Sequence, residues 1–132
     1  MNLSLLYIVL CDAFSTEPHS GKKNFQGIFD RIFTPSFPAT YPSLTIAAGL
    51  VGGEGSYEVG AIILDPNRLP VFRSPTVSVT PKDPYRREDI VMQVTGFPMT
   101  QPGRYEVQIL IGGKSLGSYP LFVDQVTGNS KT

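Results

Sequence analysis

A chain of 132 residues is the length of one domain, long enough to bury a hydrophobic core without disulfide or metal staples. Apolar residues make up 41% of it and charged residues 17%, which excludes an intrinsically disordered chain. Eleven basic side chains balance eleven acidic ones, so the chain lacks the electrostatic footprint of nucleic-acid or anionic-membrane binders, and neither is expected as a partner.

The opening stretch "LLYIVLCDAF" (residues 5–14) reads as a strand buried on both faces rather than as a secretory signal. No Lys or Arg precedes it, its apolar run is too short to cross a bilayer, and Cys11 follows Leu10 rather than a small residue. A cytoplasmic protein is expected, in keeping with a single cysteine that has no intrachain partner. After the polar turn "STEPHSGKK", "NFQGIFDRIF" (24–33) reads as the second strand. Phe25, Phe29 and Phe33 would share one face of it, and Ile28 and Ile32 the other, with Asp30 between them. "TPSFPATYPS" (34–43) then breaks regular structure, because its prolines cannot donate to a ladder.

"LTIAAGLV" (44–51) is the third strand and "SYEVGAIIL" (56–64) the fourth, separated by the turn "GGEG". "VFRSPTVSVT" (71–80) reads as an edge strand interrupted at Pro75. The long polar loop "PKDPYRRED" leads into "IVMQVTGF" (90–97), the sixth. "RYEVQILI" (104–111) alternates most clearly, with Tyr105, Val107, Ile109 and Ile111 facing in and Arg104, Glu106 and Gln108 facing out. "GGK" closes a hairpin onto "SLGSYPLFV" (115–123). About eight strands with Gly- and Pro-rich turns and no helical period predict an all-β fold, an antiparallel immunoglobulin-like β-sandwich. One domain is expected over 1–126, followed by a polar tail over 127–132.

The chemistry-bearing residues are sparse. His19 is the only histidine, lies in a polar turn, and has no second ligand at metal-binding spacing. Cys11 in an apolar run is expected to be a buried structural thiol. Glu54, Asp65, Asp83, Glu88 and Asp89 sit in loops without the spacing of a calcium loop, and Asp65 is expected to cap its own turn. No catalytic residue, metal or cofactor emerges, so the expectation is a non-enzymatic protein.

Two features stand out. The run 27–42, "GIFDRIFTPSFPATYP", carries Phe29, Phe33, Phe37 and Tyr41 among prolines with one charge pair, Asp30 and Arg31. These aromatics either cap the open end of the sandwich or form an exposed surface that anchors a protein partner. The candidate partner-binding residues are Phe33, Phe37, Tyr41, Asp30 and Arg31. Second, "LLYIVLC" and "GAIIL" lack a polar face, which calls for a covering loop or for self-association into a homo-oligomer. The alternative function is a small-ligand or carbohydrate binder using loops at one end around Tyr57, Asp65, Asn67 and Tyr85.

"LLYIVLCDAF", the block "GKKNFQGIFDRIFTPSFPATYP" and the closing "PGRYEVQILIGGKSLGSYPLFV" together resemble a family of short bacterial β-sandwich proteins, a domain of unknown function. Its most specific part is "GIFD.I..P.FPA", residues 27–39 here, and the resemblance extends over about residues 3 to 124. It implies a stand-alone bacterial β-sandwich and carries over no catalytic residue, cofactor or substrate. Asp12, Asp30 and Arg31 are the polar members of the shared block, for which a strand-to-strand salt bridge is the structural explanation.

Overall fold

Alternating side chains build two facing sheets whose inner rows fill one core. The computed structural model describes residues 3–126, which contain no helix; the predicted tail, 127–132, lies outside the described residues. The strands are β1 (Ser4–Cys11), β2 (Ala13–Thr16), β3 (Lys23–Gln26), β4 (Arg31–Thr34), β5 (Ala39–Val51), β6 (Tyr57–Leu64), β7 (Pro70–Arg73), β8 (Val77–Val79), β9 (Glu88–Met99), β10 (Gly103–Ile111) and β11 (Lys114–Gln125). A three-stranded sheet has the order β1-β5-β9, and a six-stranded sheet the order β4-β11-β10-β6-β7, with β8 also on β6. Hairpin β2–β3 forms a third, separate ribbon.

The strand order is that of an immunoglobulin-like sandwich. β5 and β9 neighbour each other in one sheet as strands B and E do, while β6, β10 and β11 lie together in the other as C, F and G do. One pairing departs from the expected antiparallel pattern: β4 runs parallel to β11. The chain leaves the small sheet after β1, passes through the hairpin, and reaches the edge of the large sheet travelling in the same direction as β11.

Leu10, Ile46, Leu50, Val94 and Phe97 from the small sheet meet Val59, Ile63, Val107, Ile109, Leu121 and Val123 from the large one, all fully buried. Removing that apolar surface from water is the main stabilising term, at about 25 cal/mol per Å². On β10 the expected pattern holds: Tyr105, Val107 and Ile109 are buried and Ile111 packs against the core, while Arg104 is exposed. Tyr105 also forms a tyrosine corner. Its hydroxyl donates to Gln101 O at 2.7 Å and receives the N–H groups of Thr100 at 3.2 Å and Gln101 at 3.3 Å. The ring meets Phe97 edge-on at 5.7 Å.

Three predicted strands are each cut in two. The 5–14 strand bends at Asp12, whose N–H donates to Gln26 O at 2.9 Å, so β2 leaves the sheet to pair with β3. The 24–33 strand breaks at Gly27, which has φ of +69° and would drive a Cβ into the Asp12 carboxylate. The expected shared faces are therefore lost. Phe25 packs beside Tyr7 and Phe14, Phe29 joins the core edge beside Tyr41, and Phe33 points to solvent. Ile28 is exposed where Ile32 is buried. The third break, at Pro75, is the expected one: β7 and β8 are two pieces of one edge strand, both on β6. Ser74 spans the gap, its N–H donating to Ala61 O at 2.9 Å and its hydroxyl accepting Ala61 N–H at 2.8 Å.

β5 starts at Ala39, earlier than the prolines allow in a sheet interior, and runs through Pro42. β1 pairs with β5 only over residues 45–51, so Pro42 has β9 as its one neighbour and a missing donor is tolerated. β1 is not buried on both faces throughout. It is the edge of its sheet, and Leu6, at a bulge between Leu5 and Tyr7, is exposed. Its far end, Leu10 and Cys11, is fully buried.

Candidate functional site

The aromatic run divides. Phe37 and Tyr41 are half-buried and pack against the core, with Tyr41 and Phe29 ring centroids 5.9 Å apart. Burial, then the charge of Asp12, pushes the Tyr41 phenol up. Tyr119 donates to Phe29 O at 2.9 Å, tying this corner to β11. Ile28 and Phe33, by contrast, are 56% and 46% exposed. Arg31 forms a strand-to-strand ion pair with Asp124 on β11 and stacks 4.9 Å from the centre of the Phe122 ring. The pair is of the expected kind, but its acid is neither Asp12 nor Asp30. Asp30 is exposed, its backbone oxygen accepting Phe122 N–H at 2.8 Å.

A second constellation, not foreseen from the sequence, lies on the outer face of the small sheet. Pairing sets Tyr7, Gly49 and Asp89 side by side on β1, β5 and β9. The Tyr7 ring lies across Gly49, where any Cβ would fall inside it, and its hydroxyl donates to Asp89 Oδ1 at 2.7 Å. Arg87 Nε donates to the same oxygen at 2.7 Å. Burial first, then Asp89, holds the Tyr7 phenol far above its ordinary value, so it stays a donor. Beside this network opens a cleft of about 580 Å³, lined by Gly21 and Lys23 of the hairpin and by Thr80, Lys82, Arg86, Arg87, Glu88 and Asp89. Its one sign in the sequence is the basic pair in "PKDPYRRED"; sheet register brings Tyr7 to Asp89, and the placement of the β2–β3 hairpin brings Lys23 to the cleft.

Three other titratable groups, Asp65, Glu17 and Cys11, serve the fold. Asp65 Oδ1 accepts the N–H groups of Asn67 and Leu69, each at 2.9 Å, and caps its own turn as expected. Glu17 accepts the N–H groups of His19 at 2.9 Å and Ser20 at 2.7 Å, with Ser20 contributing most to holding its carboxyl below the usual range. Cys11 is buried, and burial pushes its thiol up, away from the thiolate a nucleophile needs. Among the described residues, no group of three or more His, Cys, Asp or Glu side chains could hold a metal. The four loop residues of the alternative reading do not gather at one end. Tyr57 pairs with Val79 where β6 begins, whereas Asp65 and Asn67 follow its other end, about 26 Å away for eight residues of extended chain.

Residues 6–124 match the model of a family of unknown function (DUF6941). The chain belongs to that family. No curated protein matches it. Among solved structures, it is similar to the Pseudomonas fluorescens alkylpurine DNA glycosylase AlkC bound to DNA containing an abasic site analog. That likeness has 13% identity and a TM-score of 0.55, covering 93% of this chain and 30% of the glycosylase. A β-glucosidase from Listeria innocua is similar at 11% identity and a TM-score of 0.51, over 74% of this chain and 15% of the enzyme. An immunoglobulin-like protein from Pseudomonas aeruginosa aligns at 13% identity and a TM-score of 0.49, over 93% of this chain and 97% of that one. The chain thus spans under a third of the glycosylase and a smaller share of the glucosidase, and the likeness to both is one of fold. Among the described residues, no helix is long and apolar enough to cross a membrane.

Proposed function

We propose that this protein is a non-enzymatic interaction module that works by protein contact, and that its first partner is a second copy of itself. One observation carries the reading. Ile28 and Phe33, two large apolar side chains flanking Asp30 and Arg31, are exposed on the segment leading into and through β4, where the neighbouring aromatics are committed to the core. Exposed apolar groups beside a fixed charge are what a contact surface offers. Phe37 and Tyr41 pack against the core, Tyr41 beside Phe29 of the same segment, and so help to hold it in place. The engagement of Asp65 and Glu17 in turns and the buried thiol of Cys11 support a role without catalysis. The same thiol, unpaired and buried, supports a cytoplasmic setting.

Light scattering on a sizing column across a dilution series tests the reading. The wild-type chain is expected to run as a dimer that persists on dilution, and Ile28→Ser with Phe33→Ser to weaken it at least about tenfold. A wild-type monomer at every concentration overturns self-association through this surface.

A further inference from the structure

The small sheet stops at β9, whose outer edge is bare. β9 pairs with β5 over its length and with no other strand, and among the described residues no backbone hydrogen bond outside that ladder involves residues 88–99. In a constant-type immunoglobulin sheet of strands ABED, strand D occupies that edge. Here the pieces that precede β9, β7 and β8, both pair with β6 in the opposite sheet. A groove of about 280 Å³ is left between β8 and β9, lined by residues 77–80 on one side and 88–91 on the other. Exposed edges are usually guarded by charge or proline. Residues 90–95, "IVMQVT", carry neither, and Val77 and Val91 are 41% and 37% exposed.

At its Glu88–Asp89 end the groove runs into the 580 Å³ cleft, the two sharing Thr80, Glu88 and Asp89. The cleft is basic. Asp89 is already occupied by Tyr7 and Arg87, whereas Lys82 and Arg86 have no ion-pair partner among the described residues. In a chain of zero net charge, that concentration of cations selects for an acidic ligand.

We propose that β9 accepts an extended peptide segment of a partner protein as a fourth strand, with acidic residues at one end of the peptide seated against Lys23, Lys82 and Arg86. Main-chain hydrogen bonds to the bare edge would supply affinity, and the basic cleft would set direction and selectivity. This surface is separate from the one around Ile28 and Phe33.

The test is selection of a random twelve-residue peptide library displayed on phage against the full chain, followed by anisotropy and amide-shift mapping with the selected peptides. Enriched peptides are expected to carry Asp or Glu at one end and to move the amides of residues 77–80 and 88–95. Lys82→Glu with Arg86→Glu, both at exposed side chains, should weaken those peptides at least tenfold and shift selection toward basic ones. Circular dichroism of the double variant confirms that its fold is kept. Failure to enrich any sequence, or binding indifferent to the charge reversal, overturns the proposal. So do shifts confined to residues 27–34, which leave the Ile28–Phe33 surface standing. A fall in native mass of the double variant with no peptide present makes a second copy the occupant and also overturns it.

Discussion

Tyr105 and Tyr7 each lay a ring across the sandwich and each bind by the hydroxyl, yet one acts within its own turn and the other across the whole chain. Tyr105 lies inside, fully buried, and its three bonds reach back only four or five residues to Thr100 and Gln101. Tyr7 lies outside on the small sheet, and its partner Asp89 is 82 residues away. The first fixes the turn that launches β10 through partners only four and five residues away. The second locks two edge strands together over the bare Cα of Gly49 and exists only once β1, β5 and β9 are in register. Local and long-range ties of similar chemistry therefore stabilise different things: a corner in one case, a sheet and its flanking loop in the other.

Three substitutions break or sharpen this contrast. Gly49→Val forces a branched side chain into the Tyr7 ring, and urea unfolding should show a loss of about 3 kcal/mol, at the upper end for overpacking. Adding Tyr7→Ala should return part of that loss, with a coupling of at least about 1 kcal/mol, because the two residues share one site. Strictly additive losses would mean that the ring and the glycine act separately. Tyr105→Phe keeps the edge-on ring packing but strips the corner of its hydroxyl, so the part-buried peptide groups of Thr100 and Gln101 must turn to water. The expected cost is about 1 kcal/mol with no change in the register of β1 and β5.

The smallest effect is a pH effect on the large sheet. The Gln108 amide, and then Arg68 at 3.2 Å, hold the Glu106 carboxyl below its ordinary value against partial burial. A carboxyl lowered by folding stabilises fully above its unfolded value of about 4.3 and loses that contribution as pH falls through its folded value. Arg68 is largely exposed, so the amount is under about 1 kcal/mol. The advantage of wild type over Glu106→Gln should shrink in urea midpoints as pH falls below about 5; an advantage that grows there would reverse the sign.

How much was legible varied with the range of the interaction. β10 was clear because its inward row repeats at every second residue and one covered face is enough to explain it. The interrupted edge strand was legible because Pro75 acts locally. The tyrosine corner could have been read from "QPGRY", a turn followed by a Tyr at the start of a strand near the C-terminus. In contrast, residues 24–33 alternate well enough to pass for one strand. Only the approach of Asp12 to Gly27 shows why the chain must turn there. The candidate sites followed the same rule. Phe33, a candidate contact residue, is exposed, but Phe37 and Tyr41, candidates on the same composition, lean on the core. The basic cleft is not legible in the sequence because Lys23 and Lys82 are far apart in the chain and meet through the placement of the hairpin.

From its own order of residues, then, this chain determined an all-β sandwich: turn residues and period-two apolar rows act over a few positions, and any sheet that buries those rows must be two-layered. Tertiary structure decided what period two cannot encode. It settled which strands are edges, where β4 runs parallel to β11, that a hairpin leaves the sheet at Asp12, and that Tyr7, Asp89 and four cations gather on one outer face. Those outcomes depend on register between segments tens of residues apart, and register is set by the packing of the whole core, which no single segment carries.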